Sequence, residues 1–364
     1  MAEFRQPVLR FLAGPGALAR IRDGGLAPSQ VAGLVGAAGG PKWLALNHLD
    51  RALFAHWLPG TRTAPRFLIG SSIATWRFAC AAQADPEAAF QRFEDAYMAQ
   101  RYSTRPDSRE ISGEARRILG EVLGHTGADE ILGNTALQLN VMAVRGLGLT
   151  GSRNRHALTA GLAGAGLANM MARRTLGSFF ERVLFHHPAG RPPLGRLQPF
   201  PLQETPLSAD NLTSALLASG SIPTVMEPEI DIPGAGPGLY QDGGLLDYQM
   251  DLPYATGDNV VLFPHYEARV VPGWFDKLVP WRRPQRSHMD NVLVVAPTEE
   301  WIAGLPGGKV PNRKDFYRYA GDDATRIEHW QAASEATRAL ADDFMEAVAS
   351  GAIRSRVEPL AVGR

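Results

Sequence analysis

The pattern of apolar and polar residues repeats twice in the first quarter of the chain. Residues 31–37 form a short apolar run that a Gly-Gly-Pro turn ends, and residues 43–57 then carry apolar side chains at helical spacing. Residues 67–69 form a second apolar run, and the alanine-rich stretch 71–84 follows it. Each block predicts a strand, a tight turn and a helix. Two such units in succession indicate a parallel sheet flanked by helices, which binds its ligands at the carboxyl ends of the strands.

The remaining segments predict further helices and strands of the same fold. Apolar positions three and four apart predict helices at residues 87–100, 110–123 and 207–219, the last capped at Ser208. Apolar runs predict strands at residues 137–141, 260–263 and 292–295. Residues 322–350 fit one long amphipathic helix or two, and residues 160–171 fit either a closely packed helix or a mobile loop. The Pro- and Gly-rich residues 188–201 and 234–238 are interpreted as loops or insertions. The sequence therefore predicts an α/β fold with a central, mostly parallel sheet.

Length and charge narrow the classes of protein to consider. The chain has 364 residues, a size that large α/β folds reach as one unit, so we expect a single domain over residues 1–364. Apolar residues make up 45% and charged residues 20%, as in globular proteins. Lys+Arg and Asp+Glu balance at 37 each, so no overall field favours nucleic acid, and no nucleic-acid partner is expected. The sequence leaves the oligomeric state open.

Cysteine content and the N-terminal segment bear on the cellular compartment. Cys80 is the single cysteine, so an internal disulfide and a cysteine-rich zinc site are both excluded, and its apolar surroundings predict a buried small hydrophobe. Arg5, Arg10 and a Gly-Pro-Gly turn interrupt the N-terminal apolar stretch, so we expect no signal peptide. No run of about 18 apolar residues predicts a transmembrane helix. Together these features predict a cytoplasmic location.

The second strand–helix turn carries a candidate nucleophile. Its sequence, Gly-Ser-Ser-Ile-Ala over residues 70–74, fits a nucleophile elbow with Ser72 as the exposed hydroxyl. Gly70 and Ala74 are small, as an elbow requires where neighbouring backbone comes close. A serine that merely caps the following helix fits the same letters, so the motif needs support from elsewhere in the chain.

The first strand–helix turn carries candidate oxyanion donors. Backbone N–H groups of Ala38, Gly39 and Gly40 would lie at the start of a helix, where they can face a developing oxyanion. Pro41 has no N–H to donate, which suits the first turn of a helix and confines the donors to residues before it. A tight turn without a ligand is the alternative. A Walker loop is excluded because no Gly-Lys-Ser/Thr follows the glycines.

A third turn presents a carboxylate. Residues 239–244 read Leu-Tyr-Gln-Asp-Gly-Gly, so an apolar strand ends at Asp242, and Gly243 and Gly244 let the chain turn tightly. An Asp-Gly-Gly turn is also common without any function.

Metal and dinucleotide sites are poorly supported. His186 and His187 are adjacent, so on a strand they would point to opposite faces, and no spaced acidic partner is evident. Residues 161–166 lack the Gly-x-Gly-x-x-Gly order of a dinucleotide site. We therefore expect neither a metal nor an organic cofactor.

The three turns occur in an order that resembles the patatin-like phospholipases. Gly-Gly-x-Lys precedes Gly-x-Ser-x-Ala, and residues 218–223, Ala-Ser-Gly-Ser-Ile-Pro, precede Asp-Gly-Gly, so that the resemblance spans residues 31–246. It implies a three-layer α/β/α patatin-like fold. In that family's scheme Ser72 is the nucleophile and Asp242 its base. The scheme also makes the turn at residues 38–40 the oxyanion hole, with Lys42, Gly70, Ala74 and Gly243 in supporting positions.

The resemblance implies a lipid acyl hydrolase, that is, a phospholipase or esterase that cleaves fatty-acyl esters through a Ser-Asp dyad and an acyl-enzyme. Three positions differ from the family pattern: Ala38 replaces a glycine, Lys42 an arginine and Ala74 a glycine. Lys42 keeps the charge but lacks the planar fork of arginine. Two alternatives stay open, namely an acyltransferase that uses the same acyl-enzyme and a catalytically silent lipid-binding module.

A histidine base is the main rival to Asp242. Of the nine histidines, only His265 follows a late predicted strand, as the histidine of a Ser-His-Asp triad would. The Asp-Gly-Gly turn, which resembles the dyad of the family, favours Asp242.

One segment predicts peripheral contact with a membrane. Trp274, Phe275 and Trp281 lie in a proline-bounded stretch together with Arg282 and Arg283. Aromatic rings beside arginines suit a bilayer interface, and a neutral protein acting on lipid needs such a local patch. A packed surface loop with solvated arginines fits the same residues.

Overall fold

A large central sheet dominates the computed structural model, which describes residues 6–363; Arg5, noted above, lies outside the described residues. The strands are β1 (Leu9–Ala13), β2 (Val31–Gly36), β3 (Arg66–Ser71), β4 (Leu137–Gly146), β5 (Phe180–His186), β6 (Leu202–Pro206), β7 (Glu229–Ile230), β8 (Leu239–Asp242), β9 (Val260–Pro264), β10 (Val292–Pro297) and β11 (Val357–Pro359). Along the main path their order is β11-β1-β10-β9-β2-β3-β4-β5-β6.

Helices flank this sheet. They are α1 (Pro15–Gly24), α2 (Asn47–Arg51), α3 (Ile73–Ala81), α4 (Pro86–Met98), α5 (Ser108–Leu123), α6 (Gly127–Gly133), α7 (Arg155–Met171), α8 (Leu212–Gly220), α9 (Gly244–Asp247), α10 (Glu299–Ala303), α11 (Lys314–Arg318), α12 (Asp323–Ala336), α13 (Arg338–Ala349) and α14 (Ile353–Arg356). Short 3₁₀ turns, among them Trp274–Leu278, connect several of these elements.

The centre of the sheet is parallel and its margins are not. Neighbouring strands from β10 through β9, β2 and β3 to β4 all run in parallel. β1 is antiparallel to β10, and β5 and β8 are antiparallel to β4. The prediction of an α/β fold with a mostly parallel central sheet is confirmed, and the flanking helices are consistent with three layers.

The central strands are apolar because both of their faces are covered. Every residue of β2, β3, β9 and β10 is buried. One face packs on an aromatic cluster that includes Trp43, Phe78 and Phe93, in which the Trp43 and Phe93 rings stack 4.1 Å apart. Cys80 is fully buried in the same layer, as predicted.

Several predicted helices differ in detail from those observed. The helix expected at 43–57 is divided into a 3₁₀ turn (Gly40–Leu46), α2 and a π-helical turn (Ala52–Trp57). The cap predicted at Ser208 is wrong, because residues 208–211 form a separate turn and α8 begins at Leu212. The segment 160–171 is part of α7, a helix, and residues 322–350 form two helices. Among the described residues, no helix is both long and apolar enough to cross a bilayer.

Candidate active site

Two strands end against each other at the candidate site. β3 pairs with β4 up to Ser71, which lies opposite Met142. β8 pairs with the next residues of β4 from the opposite direction, so that Asp242 lies opposite Ala143. β5 occupies the other edge of β4, so β3 and β8 share one edge and meet end to end. The residue after β3 and the last residue of β8 are therefore brought together by the register of the sheet.

Ser72 occupies a strained turn between β3 and α3. Its φ of 57° and ψ of −135° are unusual for a residue with a side chain, and such conformations persist only where the surroundings hold them. Its N–H donates to Ser219 Oγ at 2.9 Å, and its carbonyl oxygen accepts from the N–H and hydroxyl of Thr75. Ser219 Oγ in turn donates to Met142 O at 2.6 Å. The strained turn is thus tied to the sheet and to α8.

The hydroxyl of Ser72 donates directly to the carboxylate of Asp242. Ser72 Oγ lies 2.9 Å from Asp242 Oδ2, and the second oxygen, Oδ1, accepts the N–H of Gly244 at 2.7 Å. Removal of the carboxylate from water raises its pKa, more than the hydrogen bonds and neighbouring cations lower it. The carboxylate is therefore held in place, aimed at the hydroxyl and more basic than an aspartate in water.

Close packing around Ser72 and Asp242 leaves room only for small residues. A side chain on Gly243 would put its Cβ 2.1 Å from Met142 O, which no structure tolerates. The methyl of Ala74 lies 2.5 Å from the position of a Cβ on Gly36 and 3.0 Å from that of a Cβ on Gly70. Ala74 fits where a glycine was expected because two glycines face it.

The turn after β2 offers two free amides rather than three. Ala38 N–H donates to Tyr248 O at 2.8 Å, so the prediction that Ala38 contributes an oxyanion donor is wrong. The N–H groups of Gly39 and Gly40 donate to no other described residue, and both glycines line the same cavity as Ser72. Gly40 has a φ of 55°, which favours glycine.

Lys42 stands beside this turn rather than in it. Its Nζ lies 3.5 Å from Glu267 Oε1 and 4.2 Å from the centroid of the Tyr266 ring. Tyr266 donates its hydroxyl proton to Ala38 O at 2.5 Å. Lys42 therefore supports the turn through Tyr266.

His265 is not joined to Ser72. Its ring is fully buried, and Nδ1 lies within hydrogen-bonding distance of the backbone of Glu267. Burial lowers the pKa of His265 to about 4, so the imidazole is neutral near pH 7. Of the two candidate bases, the structure brings Asp242 to the serine.

Buried ion pairs that the sequence did not reveal fix the elements around the site. Arg77 of α3 makes two hydrogen bonds to Asp50 of α2, at 2.6 and 2.7 Å. Arg182 of β5 makes two to Asp247 of α9, both at 2.7 Å, and Ser71 Oγ donates to Asp247 O. These contacts hold the helices that follow Ser72 and Asp242.

Ser219 was also missed as a positioning residue. The sequence feature that could have identified Ser219 is its position in the segment 218–223, which the family resemblance uses only as a segment that precedes Asp-Gly-Gly.

Two cavities meet at Ser72. The larger, about 940 Å³, extends under α7 and the turn Trp274–Leu278, and we call it the α7 chamber. The smaller, about 500 Å³, extends along α5 and α11, and we call it the α5 chamber. Apolar side chains make up most of both walls. The serine is thus accessible from two directions.

Cationic side chains line the α7 chamber near the dyad. Lys277 Nζ lies 3.7 Å from the centroid of the Tyr248 ring. Loss of hydration and repulsion by Lys42 and Arg313 lower the pKa of Lys277 to about 8. Arg313 lies against Gly40, with its Cγ 3.3 Å from the position of a Cβ there. A negatively charged group would relieve this repulsion.

The mouth of the α7 chamber has an apolar rim, which we define as Leu167 and Met170 of α7 with Trp274 and Leu278. All four are exposed, Leu167 by 68% and Leu278 by 63%.

The segment predicted to contact a membrane is only partly outward-facing. Trp274 and Trp281 are exposed, Trp281 by 75%. Phe275 is buried, and Arg282 donates to Asp276 Oδ1 and Asn169 Oδ1 inside the protein. The expectation that Phe275 and Arg282 form part of an exposed patch is therefore wrong.

Histidines 186 and 187 make backbone contacts. The ring nitrogens lie within hydrogen-bonding distance of His187 O and Ile131 O respectively. Within residues 6–363 no group of three or more His, Cys, Asp or Glu side chains is arranged to hold a metal ion.

Comparisons of the chain with protein-family models, with curated proteins and with solved structures gave no match. The chemistry of the site accordingly rests on its own residues. These residues supply a serine hydroxyl hydrogen-bonded to a carboxylate and two adjacent backbone amides without a protein partner, and the α7 and α5 chambers adjoin them.

Proposed function

We propose that the protein is a lipid acyl hydrolase of the patatin-like kind, with Ser72 as nucleophile and Asp242 as base. The observation that carries the proposal is the 2.9 Å hydrogen bond from Ser72 Oγ to Asp242 Oδ2, made at a strained strand–helix turn beside the free amides of Gly39 and Gly40. Nucleophile, base and oxyanion donors are the three parts that acyl transfer requires.

The reaction proceeds in two stages. Ser72 Oγ forms a bond to the ester carbonyl carbon while its proton passes to Asp242, and the carbonyl electron pair moves to the oxygen facing Gly39 and Gly40. The intermediate collapses with cleavage of the carbon–oxygen bond to the alcohol, and Asp242 returns the proton to the departing oxygen. Water then attacks the acyl-enzyme, again giving its proton to Asp242, and the acid leaves as the proton returns to Ser72.

The surroundings of Asp242 compensate for the weak basicity of its carboxylate. An aspartate in a model peptide has a pKa of about 3.9, far below that of a serine hydroxyl. Burial raises the pKa of Asp242, and donors aimed at the oxyanion stabilise the charge that develops as the proton moves. Concerted transfer across a preformed hydrogen bond then avoids a free alkoxide.

The surroundings favour a lipid as the substrate. Two adjoining, mostly apolar cavities of about 940 and 500 Å³ suit fatty-acyl esters, and the apolar rim suits a lipid surface at which such esters are found. Lys42, Lys277 and Arg313 favour an ester with a negatively charged group. Peripheral membrane contact through the rim therefore forms part of the proposal.

The test compares wild type with Ser72→Ala and Ser71→Ala on p-nitrophenyl esters and phospholipids. Ser72→Ala should abolish nearly all hydrolysis, together with labelling by a fluorophosphonate. Ser71→Ala removes only a buried hydrogen bond to Asp247 O, worth about 1 kcal/mol, and should retain activity within roughly tenfold of wild type. Circular dichroism should show both variants folded.

Two results would contradict the proposal. Equal losses in the two variants would move the nucleophile away from Ser72, and absence of labelling in wild type would argue for a silent binding module. Product analysis with and without an added alcohol separates hydrolysis from acyl transfer, which uses the same acyl-enzyme.

A further inference from the structure

The α7 and α5 chambers share only the few lining residues around Ser72. The residues that line both are Gly40, Ser72, Ile222, Val225, Arg313 and Lys314. Asp242 and Gly39 line the α7 chamber alone, whereas Ile73 and Trp76 line the α5 chamber alone. An ester bound at Ser72 has two arms, the acyl chain and the alcohol, and the site has two spaces to receive them.

We propose that the acyl chain lies in the α5 chamber and the alcohol part in the α7 chamber. This assignment rests on the proposed function, because it presupposes an ester attacked by Ser72. It specifies which walls select chain length and which select the alcohol.

The path of the proton supports the assignment. Asp242 takes the proton from Ser72 Oγ and must return it to the alcohol oxygen when the carbon–oxygen bond breaks. That oxygen must therefore lie on the side of Asp242, which is the α7 chamber. With the carbonyl oxygen directed at Gly39 and Gly40, the remaining direction from the carbonyl carbon leads to the α5 chamber.

The charges of the walls support it independently. Lys42 and Lys277 line the α7 chamber and not the α5 chamber. Among the described residues that line the α5 chamber alone, Asp323 is the one charged side chain, and Trp76, Ile111 and Ile118 form part of an apolar wall. Arg313 and Lys314 line both chambers, so the α7 chamber has two more cationic side chains than the α5 chamber. A negatively charged alcohol part is therefore better stabilised in the α7 chamber, whereas a hydrocarbon chain is suited to the apolar wall of the α5 chamber.

Matched substitutions test the assignment. Ile111 of α5 and Leu162 of α7 are half-buried aliphatic residues on helices, and each lines one chamber only. Ile111→Trp should narrow the α5 chamber, and Leu162→Trp should narrow the α7 chamber. Two ester series measure the result. In the first the alcohol is p-nitrophenol and the acyl chain lengthens, and in the second the acyl group is butyryl and the alcohol lengthens.

We expect Ile111→Trp to lower kcat/KM for long acyl chains relative to short ones by about tenfold or more and to leave the alcohol series unchanged. Leu162→Trp should do the reverse. A short-chain fluorophosphonate should label Ser72 in both variants as in wild type, which shows that the nucleophile is intact. Met226→Trp, also in the α5 chamber alone, replaces Ile111→Trp if that variant does not fold.

The reverse pattern, or a change in the same series from both variants, would overturn the assignment. So would an unchanged acyl-length profile in both α5-chamber variants. These outcomes require an active enzyme, so they differ from failure of the proposed function, in which wild type itself shows no Ser72-dependent hydrolysis.

Discussion

The Ser72 turn, which forms the floor of the α7 chamber, and the apolar rim at its mouth differ in how their side chains are held. At the floor, every polar group of Ser72 has a protein partner, and the turn is tied to α8 and the sheet through Ser219. At the rim, Leu167 and Leu278 extend into solvent. The rim backbone is nevertheless anchored, since buried Asp276 accepts from Asn169 at 2.8 Å and from Arg173 at 3.0 Å.

The proposed function would place different physical demands on the two regions. A reaction centre loses rate when its groups are displaced by about 1 Å, so the atoms of the dyad are fixed from several sides. Association with a lipid surface depends on exposed apolar area and tolerates variation in how it is presented. Substitutions at the floor should therefore change rate, and substitutions at the rim should change where the protein acts.

The largest effect should come from the base. Asp242→Asn keeps the shape of the side chain but removes the proton acceptor, so kcat/KM should fall about 10³-fold or more, on the scale of Ser72→Ala. His265→Ala should retain most of the activity, because the imidazole lies within hydrogen-bonding distance of the backbone of Glu267 and makes no hydrogen bond to Ser72. Ester hydrolysis by both variants, with circular dichroism to verify folding, gives the comparison. A folded but inactive His265→Ala beside an active Asp242→Asn would replace the dyad by a histidine-based triad.

The pH dependence should report the same carboxylate. Asp242 accepts a proton only when ionised, and burial raises its pKa, so kcat/KM should fall as pH drops through a value above the ordinary aspartate range. The slope should be about tenfold per pH unit below it. His265, the rival candidate base, also titrates in acid, because burial lowers its pKa to about 4. A profile that moves in His265→Ala would assign the acid limb to the histidine instead.

The smallest effect on rate should come from the rim. Trp274→Ala/Trp281→Ala removes one ring of the rim and the exposed ring of Trp281 outside it, so hydrolysis of soluble short-chain esters should change less than about twofold. Co-sedimentation with anionic liposomes should fall several-fold, since each ring contributes apolar area at the interface. Phe275→Ala is no substitute, because that ring is buried. Unchanged liposome binding would remove Trp274 and Trp281 from the lipid-contact proposal.

The parts of the fold that local pattern governs were predictable. Apolar runs that end in small residues predict β2, which precedes the turn at Gly39 and Gly40, and β3, which precedes the elbow at Ser72. The segment 160–171 was ambiguous because glycine and alanine give little contrast between faces. It is helical because Asn154 caps α7 and because Gly161 fits closely against the backbone of Thr150.

The parts that depend on tertiary pairing were not predictable. Nothing in residues 239–244 indicates that β8 pairs antiparallel with β4 in line with β3. Nor does the sequence show that Ala38 N–H is used by Tyr248 O, since that bond joins turns far apart along the chain. The two chambers around Ser72 are likewise lined by elements that lie far apart along the chain, among them α5, α7 and α11.

The end-to-end meeting of β3 and β8 has a consequence for biosynthesis. Ser72 and Asp242 are 170 positions apart, so their hydrogen bond is a long-range contact that cannot form until most of the sheet has been synthesised. A nascent chain that has emerged only as far as α8 contains Ser72, the proposed nucleophile, together with Gly39 and Gly40, but it lacks Asp242, the proposed base. Under the proposed mechanism, hydrolytic competence would therefore be acquired only late during translation.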